Sequence, residues 1–97
     1  MTRYAISRAA KSDLDGIWDH VAQDAPLAAD RLIGKLFDAF RHLSSTPLAG
    51  ELCEHLRPGL RRFCMGNYVI YYKVARRMTV VRVLYGARDA GALFMTE

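Results

Sequence analysis

The clearest pattern in the chain is a stripe of apolar residues between Pro26 and about Ser44. The apolar side chains recur at spacings of three and four, which places them on one side of an α-helix. Pro26 suits the first turn of this helix, and residues 45–47 end it. Gly34 lies within the stripe and is expected to permit close packing against the helix that precedes this one. The stripe consists of Ala29, Leu32, Ile33, Leu36, Phe37, Phe40 and Leu43.

A second amphipathic helix is predicted over Arg8–Gln23, after a short strand at Arg3–Ile6. Ser7 is a good N-cap for it. Residues 24–26 break the pattern, so the two helices form an αα-hairpin whose apolar surface needs a sheet to cover. The apolar positions of this helix are Ala10, Leu14, Ile17, Trp18, Val21 and Ala22, and the aspartates on its other side are Asp13, Asp15 and Asp19.

The second half of the chain predicts an antiparallel meander of three strands. Leu60–Met65, Tyr68–Val74 and Met78–Tyr85 are rich in β-branched and aromatic residues. Gly66-Asn67 is a pair typical of two-residue hairpin turns, and residues 75–77 form a looser turn. Alternation leaves open which face is buried, because both faces are fairly apolar.

These elements predict an α+β fold in which the helical hairpin packs on a small, mainly antiparallel sheet. Leu48–Gly59 is expected to be a connection, and Asp89–Met95 a tail with some helical character. The residues expected to pack on the sheet are Leu32, Leu36, Phe37 and Phe40, and those expected to seal the hairpin are Leu14, Ile17, Trp18 and Val21.

Length and composition limit the class of protein. The 97 residues suit one domain, and the apolar fraction of 52% argues against disorder. No apolar run is long enough to cross a bilayer, and the N-terminus lacks the apolar segment of a signal peptide. The sequence therefore predicts a cytoplasmic protein that does not bind membranes.

Charge is distributed unevenly along the chain. Residues 1–50 hold six basic and six acidic residues, whereas Arg57–Arg88 holds eight basic residues and no acidic one. Such a positive field suits an acidic partner, either nucleic acid or an acidic protein segment. The alternative is that these cations only solvate one face of the sheet.

Candidate chemistry is sparse. Cys53 and Cys64 lack metal-ligand spacing and are expected to be free thiols. Residues 51–55 contain side chains that could bind a metal, but their spacing matches no known ligand pattern. No Ser-His-Asp or Cys-His order suggests a nucleophile with a His base. The tyrosines Tyr68, Tyr71, Tyr72 and Tyr85 could stack on bases, but such residues more often fill sheet faces. We therefore predict no catalytic residue, no metal and no cofactor.

A set of short motifs, in order and at consistent spacing, resembles the ParE branch of the ParE/RelE superfamily of bacterial toxins. No single motif is specific, but together they cover nearly the whole chain. They are Tyr4-Ala5-Ile6-Ser7, Asp13-Leu14, Ile17-Trp18, Pro26, Ala28-Ala29, Leu43, Pro47, Gly50, Leu56-Arg57-Pro58-Gly59-Leu60-Arg61, Gly66-Asn67-Tyr68-Val69-Ile70-Tyr71-Tyr72 and Val81-Arg82-Val83-Leu84-Tyr85-Gly86-Ala87-Arg88-Asp89.

The resemblance implies a β-α-α-β-β-β fold with the first strand beside the last. It also implies the toxin of a type II toxin–antitoxin pair that inhibits DNA gyrase by binding. The implied partner is a ParD-like antitoxin, whose N-terminal part binds operator DNA, so that the toxin would meet operator DNA only through the antitoxin.

A ribosome-dependent mRNA endoribonuclease of the RelE type is the alternative on the same fold. Such an enzyme must move a proton and stabilise a developing charge. RelE-like ribonucleases do so with lysines and arginines on the sheet and a tyrosine near the C-terminus. The corresponding positions here are Leu60, Arg62, Val69 and Phe94, so most of that machinery looks absent. Arg62 and Arg88 could still touch phosphate. A non-toxic basic binding module is a third reading.

The residues expected to contact an acidic antitoxin segment, or the target, are basic or aromatic and lie on the predicted meander or just after it. They are Arg61, Arg62, Tyr72, Arg76, Arg77, Arg82, Tyr85 and Arg88.

Overall fold

The structure, a computed structural model, describes residues 4–86 and 90–95. The elements in chain order are β1 (Tyr4–Ile6), α1 (Arg8–Ala22), α2 (Pro26–Ser45), a 3₁₀ turn (Pro47–Ala49), β2 (Glu51–Leu52), β3 (Leu60–Met65), β4 (Tyr68–Val74), β5 (Met78–Tyr85) and α3 (Ala90–Met95). The predicted α+β fold is confirmed, and the three meander strands have the predicted bounds. The 3₁₀ turn and β2 were not predicted, because they lie in a segment without periodicity.

The sheet has the order β1-β5-β4-β3-β2 within the described residues. β1 runs parallel to β5, and the other neighbours are antiparallel. The first strand thus lies beside the last, as the resemblance implied. Tyr71 pairs with Arg82 and Tyr72 with Val80, so Val81 is an extra residue that makes a bulge in β5.

Ser7 joins the start of α1 to this bulge. Its hydroxyl accepts a hydrogen bond from the Ala10 N–H at 3.0 Å, as an N-cap does, and donates one to the Val81 carbonyl at 2.7 Å. Its own N–H donates to the Val80 carbonyl at 2.9 Å. One residue therefore caps the helix and continues the β1 edge of the sheet.

The helical hairpin covers one face of the sheet. Leu36, Phe40 and Leu43 are fully buried there, whereas Leu32 and Phe37 are only partly buried. The expected packing of Leu36 and Phe40 is confirmed, but Phe37 lies at the edge of the core. Its ring instead meets the Phe40 ring edge-on, with centroids 5.3 Å apart.

Trp18 seals the hairpin as predicted, although it is exposed, whereas the prediction for Gly34 fails. Trp18 is 38% exposed and closes the hairpin at its rim, where the indole N–H donates to Asp30 Oδ1 at 2.8 Å. Gly34 is exposed, and a Cβ built there would meet no described atom within 4 Å beyond the helix's own backbone. The idea that Gly34 allows close helix packing is therefore wrong.

The opposite face of the sheet has its own apolar cluster. Cys53, Leu60, Tyr71, Leu84 and Phe94 are buried together. The short helix α3 and the connection before β3 cover this face. Both faces are thus buried, which explains why alternation alone did not identify the inner one.

Candidate interaction surface

The predicted contact residues do not form one surface. The turn between β4 and β5 carries Arg76 and Arg77, and β3 begins at the same end of the sheet, since Leu60 pairs with Lys73. Tyr85 lies at the far end of β5, roughly 20 Å away at about 3.3 Å per residue. Arg88 lies outside the described residues. The cations Arg61, Arg62, Lys73, Arg76 and Arg77, which we call the basic end of the sheet, remain together.

Arg82 is taken up within the fold. Its Nε and Nη2 donate to the two carboxylate oxygens of Asp13 at 2.8 and 2.9 Å. The side chains of Arg82 and Asp13 are only 14% and 11% exposed. Asp13 Oδ2 also accepts the Val83 N–H at 3.0 Å, on the part of β5 that β1 does not reach. Arg82 therefore joins α1 to the sheet and does not present a charge to a partner.

Tyr72 is also internal, because its side chain is fully buried. Its hydroxyl donates to the Pro47 carbonyl at 2.7 Å and accepts the Gly50 N–H at 2.8 Å. Burial raises the pKa of this hydroxyl, and the hydrogen bond from Gly50 opposes the rise. Tyr72 thus holds the 3₁₀ turn against the sheet, and its buried side chain is not available for the contact with a partner that was predicted.

Arg61 and Arg62 point to opposite faces of β3, because successive side chains of a strand alternate. Arg61 Nη1 donates to the Gly50 carbonyl at 2.7 Å. Arg62 Nε donates to Glu51 Oε1 at 2.7 Å across the β2–β3 pair, and this bond raises the pKa of the guanidinium. The Arg62–Glu51 pair is exposed, so it contributes little to stability and leaves Arg62 accessible.

Arg76 and Arg77 are exposed, and their side chains have no ion-pair or hydrogen-bond partner among residues 4–86 and 90–95. A backbone bond from the Ala75 N–H to the Arg77 carbonyl at 3.3 Å tightens the turn that carries them. A cavity of about 450 Å³ lies between this turn and the end of α2. We call this cavity the turn groove; it is lined by Ser44, Pro47, Val74, Ala75, Arg76, Arg77 and Met78.

Tyr85 borders a second cavity, of about 660 Å³, between α1 and the far end of the sheet. Its half-exposed ring meets that of Tyr68 edge-on, with centroids 5.8 Å apart. The other lining residues are Ser12, Asp13, Gly16, Ile17, His20 and Val83. No arginine or lysine from residues 4–86 and 90–95 lines this cavity.

The sheet face that carries the nuclease positions is largely apolar. Phe94 is buried, its ring meets that of Tyr71 at 5.1 Å, and the Arg57 guanidinium lies 4.9 Å from its centroid. Burial raises the pKa of Tyr71. Val69 lies partly buried in the same cluster. The side chains of Phe94 and Val69 therefore offer no proton donor or acceptor.

The remaining chemistry is structural. Both cysteines are free thiols, and burial raises the pKa of Cys53. No group of three His, Cys, Asp or Glu side chains in the described part of the chain could hold a metal ion. None of the described helices has the length and apolar character needed to cross a membrane.

Comparison with known proteins identifies the class of this fold. The family model described as "ParE toxin of type II toxin-antitoxin system, parDE" matches residues 4–90. The chain belongs to this family: it is a ParE-type toxin of a type II toxin–antitoxin system.

Individual relatives span almost the same length. The chain is 36% identical over 94 residues to Toxin ParE1 of Caulobacter vibrioides, covering 95% of this chain and 97% of that protein. It is 32% identical over 91 residues to Toxin ParE1 of Mycobacterium tuberculosis, covering 91% and 93%. A structure titled "Chromosomal ParDE TA system from P. aeruginosa" shares the fold, with a TM-score of 0.75 at 22% identity over 88% of this chain and 96% of that chain.

Proposed function

We propose that this toxin inhibits DNA gyrase by binding and that a ParD-like antitoxin neutralises it. The match of the ParE family model to residues 4–90 carries this proposal. The fold shared with a chain of a ParDE system supports the choice of antitoxin class. We place the toxin in the cytoplasm, where it would meet operator DNA only as part of the antitoxin complex.

Action by binding rather than catalysis is supported by the two nuclease positions. An apolar side chain can neither take a proton nor stabilise a developing charge. Val69 and Phe94 offer only such side chains, and Phe94 is buried against Tyr71. A RelE-type ribonuclease would therefore lack two of the groups that its reaction needs.

Induced expression tests the proposal. The chain should arrest growth and induce the DNA-damage response, and co-expression of the neighbouring antitoxin reading frame should restore growth. A copy of the gene with its start codon removed is the matched control. Purified toxin should also inhibit supercoiling by gyrase. Arrest without a DNA-damage response would exclude gyrase, and normal growth would favour the non-toxic binding module.

Primer extension on mRNA after induction tests the ribonuclease alternative. We expect no new ends in phase with codons. Ends that appear with the wild-type toxin and disappear with Arg62→Ala or Arg88→Ala would establish the ribonuclease and overturn the proposal.

A further inference from the structure

The turn groove combines a small apolar surface with two cations. Val74 is 40% exposed at its side and Pro47 is partly exposed, whereas Met78 is buried and adds little surface. Leu48, the residue after Pro47, is 71% exposed. A cavity of about 450 Å³ is large enough to take one or two apolar side chains of a partner.

The charge beside this groove is not balanced within the described chain. Arg57–Arg88 contains no acidic residue, and the acids that pair with its arginines come from elsewhere: Glu51 binds Arg62, and Asp13 binds Arg82. No such acid reaches Arg76 or Arg77 in residues 4–86 and 90–95. Two adjacent cations therefore stand at the mouth of a cavity whose lining is partly apolar and partly polar.

We infer that the turn groove binds an acidic amphipathic protein segment. An apolar side chain of the segment enters the groove, and carboxylates on either side of it pair with Arg76 and Arg77. The apolar contact adds affinity because it removes Val74 and Pro47 from water, and the ion pairs accelerate association and fix the register. We assign the segment to the antitoxin, and this assignment rests on the proposed function.

The composition of the groove favours a protein segment over nucleic acid. Sites for single strands combine cations with aromatic rings on which bases stack. The residues that line the turn groove include no aromatic side chain. Tyr71 and Tyr72 are buried, and the exposed ring of Tyr85 lies at the other end of β5.

Selection from a random peptide library tests the chemistry of the groove without the antitoxin. Peptides are selected on the wild-type toxin and counter-selected on the double variant Arg76→Glu/Arg77→Glu. We expect enriched peptides to carry Asp or Glu around an apolar residue. Enrichment without acidic residues, or no enrichment, would overturn the inference.

Matched variants localise the binding. The charge control is Arg31→Glu/Lys35→Glu, which makes the same change in net charge at exposed positions of α2, about 13–20 Å before Ser44 along the helix. The apolar test is Val74→Ser, and its control is Leu27→Ser at the exposed start of α2. Because the affected residues lie at the surface, thermal melting should verify that all four variants fold.

Binding of the antitoxin from the neighbouring reading frame tests whether the antitoxin occupies the turn groove. At low salt, the Arg76/Arg77 reversal should slow its association about tenfold or more, and the difference should shrink near 0.5 M salt, where the Debye length is about 4 Å. Val74→Ser should raise the dissociation rate, and both controls should match the wild type.

The other outcomes are decisive. If both charge-reversed variants lost antitoxin binding equally, the cause would be the net charge in general, and the turn groove would be excluded as the binding site. If all variants bound the antitoxin equally well while Arg76→Glu/Arg77→Glu still failed to bind the selected peptides, the antitoxin would be excluded as the occupant of the groove. If Arg76→Glu/Arg77→Glu lost binding to single-stranded DNA or RNA instead, the groove would be a nucleic-acid site. A wild-type toxin that is not neutralised by the antitoxin would contradict the proposed function, while the peptide selection would still decide the chemistry of the groove.

Discussion

Asp13 of α1 and Arg82 of β5 form a two-point ion pair that is almost closed to solvent. The same carboxylate accepts the Val83 N–H. Asp13 thus provides the hydrogen-bond acceptor that a neighbouring strand would provide, at a point of β5 beyond the end of β1. The pair therefore joins the helical hairpin to the sheet and closes part of the sheet edge. It also removes Arg82 from the cations available to a partner.

Replacement of Asp13 by Asn should destabilise the fold by about 3 kcal/mol. The substitution removes the Asp13 charge that faces the nearly buried Arg82, and loss of one member of such a pair costs more than loss of both. The double variant Asp13→Asn/Arg82→Met should for that reason be less destabilised than Asp13→Asn. Urea denaturation measures both free energies of unfolding.

Asp19→Asn provides the control for this ion pair. Asp19 is exposed on the same helix, so the substitution should change the free energy of unfolding by less than about 0.5 kcal/mol. Equal stabilities for Asp13→Asn and Asp19→Asn would show that the pair does not hold α1 on the sheet.

Gly50→Ala should destabilise the toxin by about 1–3 kcal/mol. A Cβ at Gly50 would overlap the Tyr72 hydroxyl and lie 2.7 Å from the Arg62 carbonyl, so Tyr72 would have to leave its hydrogen bonds. The backbone at Gly50 is extended, so the effect comes from the missing space and not from the dihedral angles. Thermal or urea unfolding gives the change.

Gly34→Ala is the matched substitution with the opposite expected sign. The position is open, exposed and inside α2, where Ala is favoured over Gly by about 0.5–1 kcal/mol. A stabilised Gly34→Ala beside a destabilised Gly50→Ala would identify the contact with Tyr72 as the cause. A destabilised Gly34→Ala would restore the close packing that the sequence suggested.

Alkaline pH should weaken the fold through groups that are buried in their neutral forms. The pKa values of Cys53, Tyr71 and Tyr72 lie above their ordinary values of 9.0 and 10.0. As pH rises, the unfolded chain loses these protons first, so it binds fewer protons than the folded chain and stability falls. The free energy of unfolding should be steady below about pH 8 and decline beyond pH 9 and again beyond pH 10.

Tyr72→Phe separates the titration of Tyr72 from its hydrogen bonds. At pH 7 the variant should be less stable by about 1–3 kcal/mol, because the buried Gly50 N–H and the Pro47 carbonyl lose their partner. Above pH 10 its stability should decline less steeply than that of the wild type. Parallel curves for the two proteins would refute the contribution of Tyr72 to alkaline unfolding.

Phe40→Ala should destabilise the fold by about 3–5 kcal/mol, and Phe37→Ala by clearly less. Phe40 is fully buried and meets the rings of Tyr4 and Phe37 edge-on, whereas Phe37 is only partly buried. Urea denaturation of the two variants ranks them. If Phe37→Ala proved the more harmful, the inner side of α2 would be centred on Phe37 and not on Phe40.

The sequence by itself determined the elements and the family. Helical spacing from Ala29 to Leu43, the N-cap Ser7 and the turn pair Gly66-Asn67 each depend on neighbours within a few residues, and such local preferences can be read without a structure. The bounds of β3, β4 and β5 and the α+β fold were predicted in this way. The motifs that resemble ParE toxins led to the family that the comparisons established.

Only the tertiary structure decided which of the predicted contact residues are available. No local pattern in their strands marks Tyr72 or Arg82 as internal, because their partners are 22 and 69 residues away, at Gly50 and Asp13. The stripe likewise could not rank Phe37 below Phe40, because burial depends on the angle at which α2 meets the sheet. Long-range contacts of this kind arise from how the elements pack, and local sequence patterns carry no measure of that packing.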